Sequence, residues 1–355
     1  MSLAPFIGHG AVRAQLADAV ASTRLPQVLL VTGPRGVGKQ RLGLWLGQLL
    51  LCEAPSAEPC GRCSSCLQVL GLVHPDLHWF VPVATPKGDA DKQVEEAAEM
   101  IEAVMAARRL SPIWSSPDGM SSHTIASARL VQRHASLTSV AGGWRVFIIG
   151  GADRLVPQES SPAAANALLK LLEEPPQRSL FVLTAAEPGL VLPTIRSRAM
   201  PVRLGRLSDS EVREFLTAVK PEMAIDTVVA RAAGSIGAAV ASGEAESKAR
   251  SAADEFLRAV AAGPAQAAER VMRQQAWAAR GEFTALLDAV AERLSERARR
   301  VLAPGAHVTP GNPDGLLAGV ERVLAARERA QGNVNPQLLL GVLADELSQL
   351  GAAWR

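Results

Sequence analysis

Two clusters of residues in this sequence have the types and spacing to do chemistry. The first is GPRGVGKQ, Gly33 to Gln40, which fits the pattern G-x-x-x-x-G-K but ends on Gln rather than Ser or Thr. In such a loop Gly36 and Gly38 let successive backbone N–H groups turn inward around a phosphate. Lys39 would reach the outer phosphates, and the N-terminus of the following helix favours negative charge. Gly33, Gly36, Gly38, Lys39 and Gln40 are therefore the candidate nucleotide-binding residues. The residue after the lysine normally lends a hydroxyl to Mg²⁺. Gln40 offers a longer arm and an amide oxygen, a poorer match to the short, rigid Mg²⁺ shell. The second metal-organising residue should be an acid at the end of a later strand. The strand in VFIIGGADRL instead runs into Gly150 and Gly151, which have no side chain to hold a metal or orient water. Asp153 lies about 10 Å beyond Gly150 if the chain stays extended at ~3.3 Å per residue, and is read as a cap on the next turn. The expectation is a degenerate phosphate loop that holds nucleotide weakly or stays empty and does not hydrolyse ATP efficiently.

The second cluster is CEAPSAEPCGRCSSC, which contains all four cysteines of the chain: Cys52, Cys60, Cys63 and Cys66. Close C-x-x-C pairs let thiolates converge on one ion, and Gly61 eases the tight turn. Four sulfurs match tetrahedral Zn²⁺ with no open position, which means structure rather than catalysis. An iron–sulfur cluster is the main rival, because C-x2-C-x2-C also occurs there; disulfides or free thiols remain as further alternatives. His74 and His78 in HPDLHWF follow closely, but four cysteines already complete a shell, so both histidines are read as structural.

The elements that must position these residues follow from periodicity. QVLLVT, WRVFII and SLFVLTA are short, continuously apolar runs, suited to strands buried on both faces of a parallel sheet. Leu42, Leu46 and Leu49 recur at helical spacing after the glycine loop. In SPAAANALLKLLEEPP, Ser161 can cap a helix, Pro162 suits its first turn and Pro175-Pro176 stops it. Leu168, Leu169, Leu171 and Leu172 should face the core. Strand, helix and strand in alternation argue an α/β fold. After about Leu204 only amphipathic helices are convincing. In one of them Leu286, Val290, Leu294 and Arg297 follow a single stripe. A small helical domain is expected at about 205–245 and a larger helical bundle from 246 to 355. The segment from about 87 to 122 looks like an insertion, with one helix carrying Val94, Ala98, Ile101 and Met105 on one face, and is read as a surface excursion.

Composition narrows the function. With 37 basic against 35 acidic residues, a formal net of +2, the chain is too evenly charged for a dedicated nucleic-acid binder with a large basic face. No apolar run approaches the roughly 18 residues of a membrane span, and the N-terminus does not read as a signal peptide. The expected location is the cytoplasm.

GPRGVGK, CGRCSSC with the earlier Cys52, HPD at His74 to Asp76, NALLKLLEEPP from Asn166 to Pro176 and TIRSR from Thr194 to Arg198 occur here in one order. In this the chain resembles, over essentially its whole length, the delta-prime family of bacterial DNA polymerase III clamp-loader subunits, which are AAA+ proteins. The extra length around 87–122 is the clearest departure. The resemblance implies an AAA+ α/β domain over 1–204, with a zinc module at 52–66, a helical lid at 205–245 and a C-terminal helical collar. It implies partners: gamma/tau and delta subunits in a five-membered ring that loads the beta sliding clamp onto primed DNA, within a polymerase holoenzyme whose nucleotidyl transfer belongs to another subunit. It implies structural Zn²⁺ on Cys52, Cys60, Cys63 and Cys66, and a rigid subunit that does not fire ATP. Active relatives carry Asp-Glu where this chain has Gly150-Gly151, and a nucleotide-sensing arginine where GSIGAAV has Gly237. One catalytic part is retained: Ser197-Arg198 matches the family's Ser-Arg-Cys element, with Ala199 replacing cysteine. The resemblance implies that Arg198 acts in trans on the ATP of the adjacent subunit. A planar guanidinium suits charge spread over transferring phosphoryl oxygens. Two other readings stay open, an autonomous gamma-like ATPase and a zinc-dependent DNA-binding module.

Overall fold

The apolar runs are strands of one sheet in the computed structural model: β1 (Val28–Thr32), β2 (Leu77–Phe80), β3 (Arg145–Gly150), β4 (Ser179–Ala185) and β5 (Met200–Arg203). The structure describes residues 3–110, 121–155, 162–221, 226–240, 244–274, 280–302, 313–330 and 334–350. All strand pairs are parallel, in the order β2-β3-β4-β1-β5. β1, β3 and β4 are buried along their whole length, as expected for strands covered by helices on both faces. β2 and β5 were not legible as strands: they are edges, and their His78 and Pro201 interrupt any apolar run.

The α/β core is completed by α1 (Gly10–Ala21), α2 (Lys39–Leu51), α3 (Ser64–Leu70), α4 (Ala90–Leu110), α5 (Ile125–Ser136), α6 (Ala163–Glu173) and the short α7 (Pro193–Arg196). Leu42, Leu46 and Leu49 of α2 are buried, together with Leu44 and Trp45. On α6, Leu168 and Leu172 are buried, whereas Leu169 and Leu171 are only half-buried, because four leucines in five residues span more than one helical face. Ser161, the expected cap of α6, lies outside the described residues, as does 111–120 of the insertion.

Helix α4 corrects the reading of the insertion as a surface excursion. Its buried residues are Ala97, Ile101, Met105 and Arg108, spaced 4, 4 and 3 apart on one face. Val94 and Ala98 are half-buried beside them. A bridge between Val83 and Ser122 ties the two ends of the insertion together.

Three short helices follow the sheet: α8 (Asp209–Val219), α9 (Asp226–Ala232) and α10 (Ile236–Val240). A reciprocal capping box between Ser208 and Glu211 starts α8, satisfying two backbone donors at once. Val212, Phe215, Leu216, Val229 and Ala239 form a small core that also takes in Ala4 and Ile7 of the N-terminal segment. These helices and the sheet belong to one compact unit; the described residues from 244 onward form another. That second unit contains α11 (Glu244–Ala262), α12 (Pro264–Met272), α13 (Arg280–Leu302), α14 (Pro313–Arg329) and α15 (Pro336–Gln349) around Phe256, Leu287, Val290, Leu294, Val323, Leu340 and Leu343. The α13 stripe turns inward at Ala298 rather than at Arg297, which is half-exposed. No helix among the described residues is long and apolar enough to cross a membrane.

The HPD motif is structural. Asp76 is buried and accepts from the Val140 N–H (2.9 Å), the Ala141 N–H (3.0 Å) and the Ser139 hydroxyl (3.0 Å), fixing the turn before β3. His74 Nδ1 accepts from the Asp76 N–H at 3.1 Å. His78 stacks on Phe147, with ring centroids 5.0 Å apart. Burial, foremost, lowers the His78 pKa to about 4, and does the same for His123, whose Nε2 lies 2.8 Å from the Gly150 carbonyl oxygen. Both imidazoles are neutral in the folded chain, while the unfolded chain binds their protons near 6.5. Their contribution is therefore complete above about pH 6.5 and is lost as pH falls toward 4, at up to ~1.4 kcal/mol per pH unit for each group. Urea midpoints should fall across this window. The fall should be shallower in the H78F/H123N double variant; an equal slope would show that these rings do not control it.

Candidate phosphate site and metal centre

The glycine loop joins the end of β1 to the start of α2, at the carboxyl end of the sheet where α/β folds bind ligands. Gly38 precedes the helix at φ 100°, with no side chain capping the first turn. Lys39 is turned back on its own loop: Nζ donates to the Gly33 carbonyl (2.8 Å) and the Pro34 carbonyl (2.6 Å). Burial lowers its pKa to about 8, against the opposing pull of Asp153.

Gln40 does not face a metal position. Its Oε1 accepts from Trp79 Nε1 at 3.1 Å and from Arg108 Nη2 at 3.0 Å. Its amide also fills the space beside Gly150. A Cβ at position 150 would lie 2.5 Å from Gln40 Nε2, 2.6 Å from Cδ and 2.8 Å from Oε1. An acid at the end of β3 would have to displace the Gln40 amide from its contacts with Trp79 and Arg108. Asp153 is not the cap of its own turn. Its Oδ2 accepts from the Ala186 N–H (2.9 Å) and the Glu187 N–H (3.0 Å) after β4, tying two strand ends together. There is no hydroxyl after the lysine and no acid at the end of β3, and Asp153 Oδ2 is taken up by two backbone N–H groups, so the donor set does not fit Mg²⁺.

The helices after the sheet close on the same loop. The Gly237 N–H donates to the Gly36 carbonyl at 3.0 Å, and the Ser235 hydroxyl donates to the Arg35 carbonyl at 3.0 Å. A Cβ at 237 would meet the Gly36 Cα at 2.7 Å, so an arginine here would force the two backbones apart. From the other side, His9 Nε2 lies 2.8 Å from the Val37 carbonyl oxygen, and Arg41 donates to the Ala4 carbonyl.

The four cysteine side chains converge, every sulfur within 4.8 Å of the others, and none is in a disulfide. Cys60 and Cys66 Sγ are 3.9 Å apart, close to the ~3.8 Å edge of a sulfur tetrahedron with Zn–S bonds of about 2.3 Å. Cys52, Cys60 and Cys63 Sγ accept the N–H groups of Cys60, Cys63 and Cys66, each at 3.4 Å. The backbone N–H groups of Arg62 and Cys63 lower the Cys60 pKa to about 6, while burial pushes that of Cys66 up. The residues fit a zinc ion. Glu58, between the first two cysteines, accepts from Trp45 Nε1 (2.6 Å) and pairs with Arg13, anchoring the module to α2 and α1. His74 and His78 are not in the cluster.

Arg198 lies apart from the chain's own phosphate loop contacts. Its side chain is 33% exposed and is paired with Glu173 at the end of α6; it also donates to the Thr194 carbonyl at 2.7 Å. This pairing, and the place of Trp79 and His123 in the site, could not be read from the sequence because they come from segments remote in it; only Arg108, an arginine in α4's apolar stripe, was a usable signal. A cavity of about 580 Å³ lined by Leu137, Thr138, Ser139, Arg145 and Arg178 lies at the amino ends of β3 and β4, away from all of these groups.

Placing Asp at position 150 should destabilise the chain by ~1–3 kcal/mol through overpacking. In G150D/Q40T the smaller side chain at 40 should recover part of that loss, giving a coupling in a urea double-mutant cycle. A neutral Gly150→Asp would contradict the geometry. Elemental analysis should find about one zinc per chain, the capacity of one four-sulfur site, and chelation should lower the unfolding midpoint. Bound iron with visible absorbance would assign the cysteines to a cluster instead.

Comparison with known proteins gives consistent likenesses. The family model described as "DNA polymerase III, delta subunit" matches residues 8–208. DNA polymerase III subunit delta' of Escherichia coli (strain K12) is 31% identical over 219 residues, 60% of this chain and 53% of that one. Subunit delta' of Bacillus subtilis (strain 168) is 28% identical over 211 residues, covering 59% and 52%. Subunit gamma/tau of Mycobacterium tuberculosis (strain ATCC 25618 / H37Rv) is 31% identical over 206 residues, 57% of this chain and 29% of that one. The chain thus matches about half the length of the delta' relatives and under a third of gamma/tau. Among solved structures, a gamma subunit-related protein of Thermotoga maritima is similar over 95% of this chain and 99% of its own, at 16% identity and a TM-score of 0.39.

Proposed function

The chain belongs to the DNA polymerase III delta-subunit family, whose model it matches from residue 8 to 208, and from that premise we propose that it is a non-hydrolysing stator of a bacterial clamp loader. In this reading it joins gamma/tau and delta subunits through its C-terminal helices, helps load the beta clamp onto primed DNA and supplies Arg198 to a neighbour's ATP. The observation that carries the stator reading is Gln40 lying where an acid at Gly150 would have to be. With no hydroxyl at position 40 and no acid at 150 or 151, the chain lacks the usual groups that organise Mg²⁺ and attacking water. Structural Zn²⁺ on Cys52, Cys60, Cys63 and Cys66 completes the reading; when bound, it holds the cysteine loop on α2 and does no chemistry.

Arg198 is suited to act in trans. An exposed ion pair such as that with Glu173 stabilises by only ~0–1 kcal/mol, so exchange of one carboxylate for a triphosphate meets little resistance. Glu173 at the end of α6 and the Thr194 carbonyl together hold the guanidinium in one place. The likeness to gamma/tau subunits favours a second reading, an autonomous ATPase, and the loss of metal-organising groups opposes it.

One reconstitution separates the two. The isolated chain should show no ATP turnover above background. In the complete loader, Arg198→Ala should slow DNA-stimulated hydrolysis at the adjoining site by up to about 10³-fold and impair clamp loading, while Glu173→Gln should have a much smaller effect. Unchanged hydrolysis and loading with Arg198→Ala would refute the role of the arginine. Mg²⁺-dependent turnover by the isolated chain, lost with Lys39→Ala, would establish the autonomous enzyme.

A further inference from the structure

We propose that helix α4 is a built-in plug for the metal corner of the phosphate site, with the Arg108 guanidinium taking the place of the fold's divalent cation. This deepens the stator reading of the same site and rests on it. The stripe that α4 presents to the core runs Ala97, Ile101, Met105 and then Arg108. Hydrophobic patterning calls for a fourth apolar residue there. Instead Arg108 is only 2% exposed and is among the largest fully buried side chains of the described residues.

A buried guanidinium is tolerated only where its charge is compensated. Here it lies over the Trp79 ring, 4.0 Å from the centroid, an arrangement in which the ring quadrupole attracts a cation. It also donates to Gln40 Oε1 at 3.0 Å. Trp79 Nε1 donates to that same oxygen, so one acceptor is fixed by two donors from different elements. The result is directional: the amide of Gln40 is held toward β2 and α4, beside Gly150. Four elements converge on this point, with Gln40 on α2, Trp79 on β2, Arg108 on α4 and Gly150 on β3.

A divalent ion approaching this corner would meet the Arg108 guanidinium, while the Asp153 carboxylate beyond Gly151 is already engaged by the Ala186 and Glu187 N–H groups. Arg41 adds to that charge, and it and burial together bring the Arg108 pKa down to about 9, which leaves it cationic at neutral pH. The order of the core then comes from the chain itself and is independent of a bound Mg–nucleotide. The length inserted between β2 and β3 acquires a function in the same step.

Two measurements on the isolated full-length chain test the plug. The first is the thermal unfolding midpoint with ADP, with and without Mg²⁺. A ligand that binds the native state raises the midpoint; the plug predicts that adding Mg²⁺ to ADP produces no further rise. The second is amide exchange at Leu42 to Trp45, in the first hydrogen-bonded turn of α2. Arg108→Met keeps the length of the side chain and removes the charge. Exchange there should accelerate by about tenfold or more, the loss expected for a hydrogen bond to a charged group. If that variant does not fold, Arg108→Lys serves in its place, since an ammonium lacks the planar fork and should accelerate the same amides. A Mg²⁺-dependent rise in the wild-type midpoint, or unchanged exchange in the folded Arg108 variant, would overturn the plug. Either failure leaves the stator reading to be judged separately by Arg198→Ala in the assembled loader.

Discussion

A side-chain amide and a carboxylate cannot occupy the same space beside the end of β3, and the rest of the phosphate site is arranged around that exclusion. Gln40 takes the space, so any side chain at position 150 would have to push its amide aside. Gln40 can take it because Trp79 and Arg108 hold its oxygen from one side. Lys39, left without a metal-bound partner to balance, turns to two carbonyls of its own loop. The substitutions at 40 and 150 are one structural change seen at two positions, each making the other tolerable.

The same logic extends to α8, α9 and α10, the helices that follow the sheet. A bound nucleotide normally stands between a phosphate loop and its lid. Here the backbones of Gly36 and Gly237 meet directly, at a separation that no side chain at 237 would permit. Gly237 is what allows this direct backbone contact. The N-terminal segment reinforces this closure, since Ala4 and Ile7 belong to the lid core while His9 reaches the Val37 carbonyl. The cysteine module is joined to the same framework through Glu58, Trp45 and Arg13, so its local order is shared with α1 and α2.

Arg198 has the opposite character. It is partly exposed, paired with a carboxylate that is itself on the surface, and set just after the short helix α7 between β4 and β5. A buried, closed site and an exposed cation on one scaffold are what a subunit would need if it served a neighbour's chemistry and had none of its own.

The sequence by itself determined the elements whose patterns are local. Continuous apolar runs identified β1, β3 and β4, helical periodicity identified α2 and the C-terminal helices, and the spacing of four cysteines identified a cluster whose geometry could hold a metal ion. It also exposed the missing hydroxyl and acids, because those are losses at known positions in a motif. Only the tertiary structure decided why the losses are compatible. β2 and β5 escaped notice because edge strands need bury only one face; Asp153 was misjudged because its partners are the N–H groups of Ala186 and Glu187, just beyond the end of β4. The Arg108–Trp79–Gln40–Gly150 contact unites four segments up to 110 residues apart in numbering. Periodicity reports which face of a helix is buried, but not what that face will touch, and hydrogen bonding and exclusion of volume are settled only when the chain brings those segments together.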